Sequence, residues 1–149
     1  MKARGLDNLR INLDPANLLL YGKGNPMDAV DVFGQYVVSM HVKDGDYPTD
    51  GNNLGCEYKV GTGRVNFDYI LRKLRTFNYQ GPLTIEREIS GEQQNKDIID
   101  TIQYLQNIES LSISFLQLLH IIKISFLENS YIFSLNNRFL YFLRFRTTI

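Results

Sequence analysis

An α/β fold with a parallel sheet is what this sequence predicts, on three observations. Short, β-prone apolar runs alternate with stretches of helical periodicity through residues 9–107. Glycine and proline punctuate the joints, and all eleven glycines and all four prolines lie at or before Gly91. Three of the apolar runs are each followed at once by a side chain suited to chemistry: Asp14, His41 and Glu86. In a parallel sheet or barrel built from β/α units, that layout brings all three to one rim.

The elements follow in order. The first strand is Leu9-Arg10-Ile11-Asn12-Leu13, closed by Asp14-Pro15-Ala16-Asn17, which reads as a turn because proline fixes φ and cannot continue a ladder. Asn25-Pro26 has the pattern of an N-cap followed by proline at the first helical position. The helix from there to about Tyr36 is expected to bury Met27, Val30 and Phe33 or Gly34. Val37 to Val42 is a second strand, apolar enough to be buried on both faces. A polar loop from Lys43 to Thr62 comes next, and loops of that length are usually lids or binding loops. Gly61-Thr62-Gly63 lacks the third glycine of a dinucleotide fingerprint and reads as a tight turn. Asn66 then caps an amphipathic helix with Phe67, Ile70, Leu71 and Leu74 inward and Arg72, Lys73 and Arg75 outward. Asn78-Tyr79-Gln80-Gly81-Pro82 ends it and leads into a third strand, Pro82 to Ile85. A last helix, begun at Ser90 or Asn95, is expected to present Ile98, Ile99, Ile102 and Leu105 as its apolar stripe.

The 149 residues fit one domain with a real core. Lys+Arg and Asp+Glu both count 16, which gives no hint of a nucleic-acid or membrane partner. Cys56 is the sole cysteine, so no intrachain disulfide forms. The N-terminus lacks the apolar core of a signal peptide, and no uncharged apolar stretch has the length of a membrane span. A soluble, cytoplasmic protein is the default expectation.

Composition changes near residue 109 and divides the chain into an organised part, 1–108, and an irregular, apolar C-terminal tail, 109–149. The tail has no Gly, Pro, Ala, Val, Asp or Met and holds six of the nine phenylalanines. Its four basic residues (Lys123, Arg138, Arg144, Arg146) outnumber Glu109 and Glu128, giving a net of +2 against −2 for the rest. Leu111, Ile113 and Phe115 alternate with serines like a strand, whereas Leu116 to Ile122 is too densely apolar for a one-sided helix. Three readings stay open: a buried terminal helix or hairpin, a membrane-surface segment, or a non-native extension such as translation past a disrupted gene end. His120 has no ligand-like neighbours in sequence and reads as incidental.

One imidazole and two carboxylates at a common rim form a candidate ligand set for a divalent metal ion. Carboxylates suit Mg²⁺ and Mn²⁺, and a histidine shifts preference toward Mn²⁺, Co²⁺ or Zn²⁺. Such an ion polarises a sugar carbonyl or hydroxyl and stabilises an enediolate while a neighbouring carboxylate takes the proton. Each residue also has a plainer reading. Asp14 before Pro15 is a common turn residue, His41 could be a hydrogen-bonded core residue, and Glu86 could pair with Arg87 or Lys43. Three at successive strand ends favour a shared site.

Four segments, in order, carry a resemblance: Asn12-Leu13-Asp14-Pro15-Ala16-Asn17, His41-Val42-Lys43-Asp44-Gly45, Val60-Gly61-Thr62-Gly63-Arg64-Val65-Asn66-Phe67 and Gly81-Pro82-Leu83-Thr84-Ile85-Glu86-Arg87-Glu88. Over about residues 7–107 the chain resembles the C-terminal part of the xylose-isomerase-like sugar phosphate isomerase/epimerase family. The resemblance implies a partial TIM (β/α)8 barrel, the last three β/α units. It implies metal ligation by Asp14, His41 and Glu86, with Mn²⁺ the first choice among divalent ions. Glu86 would also be one of two carboxylates shuttling a proton, with Glu88 its competitor for that place. Asn17 stands where many relatives carry a substrate-binding histidine, and Lys43 and Asp44 would sit at the pocket mouth beside a sugar or sugar phosphate. The family's other catalytic glutamate belongs to strands upstream of Met1, so a truncated barrel is expected, with open sheet edges prone to self-association. Two alternatives stand beside this isomerase reading. One is a catalytically inactive remnant or partner-binding fragment. The other is a metal-dependent endonuclease on the same barrel, disfavoured by the neutral charge.

Overall fold

The computed structural model describes residues 8–112, 123–127, 130–135 and 139–144, with side chains described for residues 8–109. In chain order the elements are β1 (Ile11–Leu13), α1 (Pro15–Leu20), α2 (Pro26–Phe33), a 3-10 turn (Gly34–Tyr36), β2 (Val37–Val42), β3 (Asp44–Gly45), β4 (Glu57–Tyr58), α3 (Phe67–Thr76), β5 (Leu83–Glu86), α4 (Glu92–Ser112), β6 (Lys123–Leu127), β7 (Ser130–Leu135) and β8 (Phe139–Arg144). Strands β1, β2 and β5 pair in parallel, as the β/α alternation predicts. The backbone of β8 continues the sheet beside β5, and β7 and β6 extend it antiparallel. Among the described residues the sheet is open, with β1 and β6 at its edges. It is part of a barrel wall and not a closed barrel.

Strand pairing sorts the side chains. Met40, His41 and Val42 of β2 stand opposite Leu83, Thr84 and Ile85 of β5, while Asn12 and Leu13 of β1 stand opposite Ser39 and Met40. Because successive side chains point to opposite faces, Leu13, Met40, Val42, Leu83 and Ile85 share one face. All five are buried, in one cluster with Ala16 and Leu19 of α1, Val30 of α2, and Phe67, Ile70, Leu71 and Leu74 of α3. Each of the larger side chains contributes roughly 1.5–3 kcal/mol by leaving water. The opposite face carries Asn12, Ser39, His41, Thr84 and Glu86, none of them buried. The second strand is therefore covered on one face over its C-terminal half, and not on both as its apolarity predicts.

Local chemistry sets the helix ends. Asp14-Pro15-Ala16-Asn17 is the start of a helix and not a free turn. The Asp14 carboxylate accepts from the Asn17 N–H at 2.9 Å, and Pro15 fills the first helical position, where a missing N–H costs nothing. Asn25 and Asn66 cap α2 and α3 in the same way, as their sequences predict. In α2, Val30 is buried, Gly34 just beyond it is buried too, and Met27 and Phe33 are half-buried. Helix α4 begins at Glu92, not at Ser90 or Asn95, after Gly91 at φ 84°. It runs through the compositional boundary at residue 109. Its inward stripe is Gln94, Asp97, Ile98, Thr101, Leu105 and Ile108, all buried, whereas Ile99 is 56% exposed. One residue along from Ile98, Ile99 is turned about a quarter of a revolution away. Leu111, the first residue of the strand-like alternation, lies in α4 instead, because the helix continues to Ser112; Ile113 and Phe115, the apolar run 116–122 and His120 lie outside the described residues. No helix among the described residues is long and apolar enough to cross a membrane.

The loop from Lys43 to Thr62 contains the β3–β4 ribbon and is tied to α4 by charge. Arg87, just past β5, donates to Glu57 Oε1 and to Asp97 Oδ2, each at 2.8 Å. Lys59 reaches Asp100 at 2.8 Å, and the Glu88 N–H donates to Glu57 at 3.1 Å. Gln94 satisfies the Arg87 carbonyl, and Thr101 donates to the Asp97 carbonyl. The polar half of the α4 stripe is thus paired throughout. Burial pushes the Asp97 carboxyl up, but the Arg87 and Gln93 hydrogen bonds outweigh it and hold it below its ordinary value. Its stabilising contribution is therefore complete above a pH of about 4 and is lost as pH falls through the lower folded-state value. Urea denaturation between neutral and strongly acidic pH should show an acid-side loss of stability that is shallower in Asp97→Asn. Superimposable pH slopes for the two proteins would remove Asp97 from the acid response.

Candidate metal centre

Asp14 follows β1, His41 lies one residue from the end of β2, and Glu86 is the last residue of β5. Parallel pairing puts these three strand ends side by side, and one ligand atom from each residue lies within 4.8 Å of the other two. His41 Nδ1 is 2.5 Å from Glu86 Oε2 and 4.0 Å from Asp14 Oδ2. The same nitrogen therefore faces both carboxylates. Asp14 divides its work, with Oδ1 capping α1 and Oδ2 facing the imidazole.

The electrostatics follow from that crowding. Hydrogen bonding to Glu86 raises the His41 pKa above its ordinary value. The reciprocal bond to His41, with help from Lys43, holds Glu86 down to about 2. Asp14 is raised because burial outweighs its bond to Asn17 and the charges of Lys43 and His41. A carboxylate so placed gains from any added positive charge nearby.

Of the other residues the sequence singles out, Asn17 is half-buried in the first turn of α1 and gives its N–H to Asp14. Lys43 does not sit at an open mouth. It is only 3% exposed, with Nζ 3.0 Å from Glu88 and 3.9 Å from Glu86. Its place is beside the carboxylates, which it compensates. Glu88, the competitor for Glu86, is drawn to this lysine, whereas Glu86 takes His41. Arg87, offered above as a partner for Glu86, is instead engaged by Glu57 and Asp97.

Asp44 is also no mouth residue, being 0% exposed. Oδ1 accepts the N–H groups of Gly45 and Val65, and Oδ2 those of Gly61 and Gly63, at 2.8–3.0 Å. The Gly61-Thr62-Gly63 turn exists to make this approach. Gly61 has φ 85°, and a Cβ on Gly63 would collide with the Asp44 carboxylate. Two partners escaped the sequence reading, Asn12 and Ser39. Ser39 Oγ donates to Asn12 Oδ1 at 2.7 Å, and Asn12 Nδ2 lies 3.1 Å from His41 Nε2. Their signal was parity alone: Asn12 sits two residues before Asp14, and Ser39 two before His41.

Comparison with known proteins now adds to the geometry. The profile of a family described as xylose isomerase-like TIM barrel matches residues 1–108. The chain belongs to this family. A crystal structure of a xylose isomerase domain protein from Planctomyces limnophilus is similar, with 41% sequence identity and a TM-score of 0.66 over 70% of this chain. The match covers 39% of that chain, so this sequence spans about two-fifths of its solved relative. No curated protein matches. Within a xylose isomerase-like barrel, the face bearing Asn12, Ser39, His41, Thr84 and Glu86 is the barrel's interior, and the helix-covered face is its outer layer. The ends of the strands are where such barrels carry their chemistry. The donor set, two carboxylates and an imidazole nitrogen converging on one another, fits a divalent ion.

Asp44→Ala would strand up to four backbone N–H groups in a buried turn, at a cost of roughly 3 kcal/mol or more. Chemical denaturation measures this, and Asp44→Asn, which keeps one acceptor oxygen, should lose less. Equal stability of Asp44→Ala and the parent chain would mean the turn holds itself.

Proposed function

We propose that this chain carries the metal-holding rim of a sugar or sugar phosphate isomerase or epimerase. The observation that carries this reading is the convergence of Asp14, His41 and Glu86 at three adjacent parallel strand ends in a xylose isomerase-like fold. Asp14 Oδ2, His41 Nδ1 and Glu86 Oε2 would hold the ion, with Mn²⁺ the best match to two carboxylates and one imidazole. When bound, a divalent ion supplies Lewis-acid polarisation of a sugar carbonyl or hydroxyl.

The residues of this chain divide the remaining work. Glu86, the last residue of β5 and turned to His41, is given the part of a ligand and, beside the sugar carbon, of one of the two carboxylates that move the proton. Lys43 offsets the crowded carboxylates. Asn17, in the first turn of α1 beside Asp14, is the proposed sugar-hydroxyl contact of this chain. The open edge of β1 among the described residues favours a second reading, a barrel piece with no activity of its own that associates with another polypeptide there.

Calorimetric titration with Mn²⁺ should give saturable binding near one ion per chain, lost in His41→Ala. Since ligation needs three donors, the loss should exceed the roughly 10–100-fold cost of removing an outer partner. Absence of binding in the folded chain would end the metal reading. Co-expression with a polypeptide carrying the remaining units of a related barrel separates the two functional readings. Mn²⁺-dependent ketose isomerisation or epimerisation by the reconstituted complex would support the enzyme. A folded complex that is inert across a broad sugar panel would leave the binding fragment.

A further inference from the structure

Asn12 has no part in the metal ligation proposed above, yet it makes the one hydrogen bond to the far side of the His41 ring found among the described residues. With Asn12 Oδ1 engaged by the Ser39 hydroxyl, Nδ2 is the group turned to His41 Nε2, 3.1 Å away. In this orientation of the amide Nδ2 donates and Nε2 accepts, so a neutral ring carries its proton on Nδ1. That proton is the one given to Glu86. The arrangement is self-consistent from Ser39 through Asn12 and His41 to Glu86.

It is also the wrong arrangement for ligation. Nδ1 is the nitrogen that faces both Asp14 and Glu86, so an ion held by the three residues must use the Nδ1 lone pair. The neutral ring then carries its proton on Nε2, and that proton needs an acceptor. Asparagine is a side chain that serves both cases. Turned end for end, the same amide accepts from Nε2–H through Oδ1 and donates to Ser39 through Nδ2. The serine hydroxyl accepts as readily as it donates. Aspartate could only accept, and an aliphatic residue could do neither.

We propose that Asn12 is the positioning residue of the rim, an amide that reverses between two hydrogen-bonded orientations and so exchanges the ring proton of His41 between its empty and metal-holding forms, with Ser39 following. The proposal rests on the metal reading for its second form, whereas its first form is a property of the metal-free chain. Asn12 is exposed and its substitution removes no core packing, so its variants test the rim and not the fold.

Long-range proton–nitrogen spectra of the imidazole rings read the tautomer directly, at a pH where His41 is neutral and with His120→Gln to tell the two histidines apart. The metal-free parent should carry the proton on Nδ1, and Asn12→Asp should move it to Nε2. Addition of Zn²⁺, a diamagnetic probe, should move it to Nε2 in the parent. By calorimetry, Asn12→Leu should weaken Mn²⁺ binding roughly 10–100-fold, while Asn12→Asp, already in the ligating form and carrying added negative charge, should bind at least as tightly as the parent. The idea is overturned if Asn12→Asp keeps the proton on Nδ1, or if Asn12→Leu leaves both the tautomer and the Mn²⁺ affinity unchanged. A parent chain that binds no Mn²⁺ overturns the metal reading, and the metal-free spectra then decide whether Asn12 governs the ring.

Discussion

Parallel pairing of β2 with β1 on one side and β5 on the other is the constraint from which the site descends. A parallel ladder aligns all strand ends in one direction, and the two-residue repeat of a strand separates what lies above the sheet from what lies below. Met40, Val42, Leu83 and Ile85 go to the helices, while His41, Thr84 and Glu86 go to the opposite face. A slip of one residue in this register would exchange the two sets, burying an imidazole and a carboxylate under α3 and exposing the core. The packing that stabilises the fold is therefore the same packing that holds the rim in place.

Charge at the rim is balanced locally and not by solvent alone. Asp14, Glu86 and Glu88 meet His41 and the nearly buried Lys43, and a second group of Glu57, Asp97 and Arg87 lies just past the end of β5. The backbone of residues 86 to 88 alternates between these groups, with Glu86 and Glu88 turned to Lys43 and Arg87 to Glu57 and Asp97. Strand parity thus continues to sort charges beyond the last ladder bond. Added positive charge beside the desolvated Asp14 would favour its ionised form.

Much of this was legible in the sequence, for identifiable reasons. Caps at Asn25 and Asn66 and the stripe of α3 depend on contacts within one turn of helix, which sequence spacing encodes directly. The joint placement of Asp14, His41 and Glu86 followed from their recurrence at strand ends. Misreadings fell where the outcome depends on distant partners. Asp44 is placed at a pocket mouth by resemblance until the amides of Gly61, Gly63 and Val65, some twenty residues on, are seen to converge on it. Lys43, placed at the same mouth, is buried because Glu88 supplies a partner. Asp97 and Thr101 replaced Ile99 on the inner face of α4 because Arg87 makes a buried carboxylate favourable there.

The carboxylate of Asp44 gives the turn from Gly61 to Val65 an internal peg. Its shape is dictated from within, by backbone amides on that carboxylate, while Thr62 Oγ1 adds a bond to the Lys59 carbonyl and Arg64 pairs with Asp46. A loop of this construction takes its shape from a buried side chain that it does not itself contain.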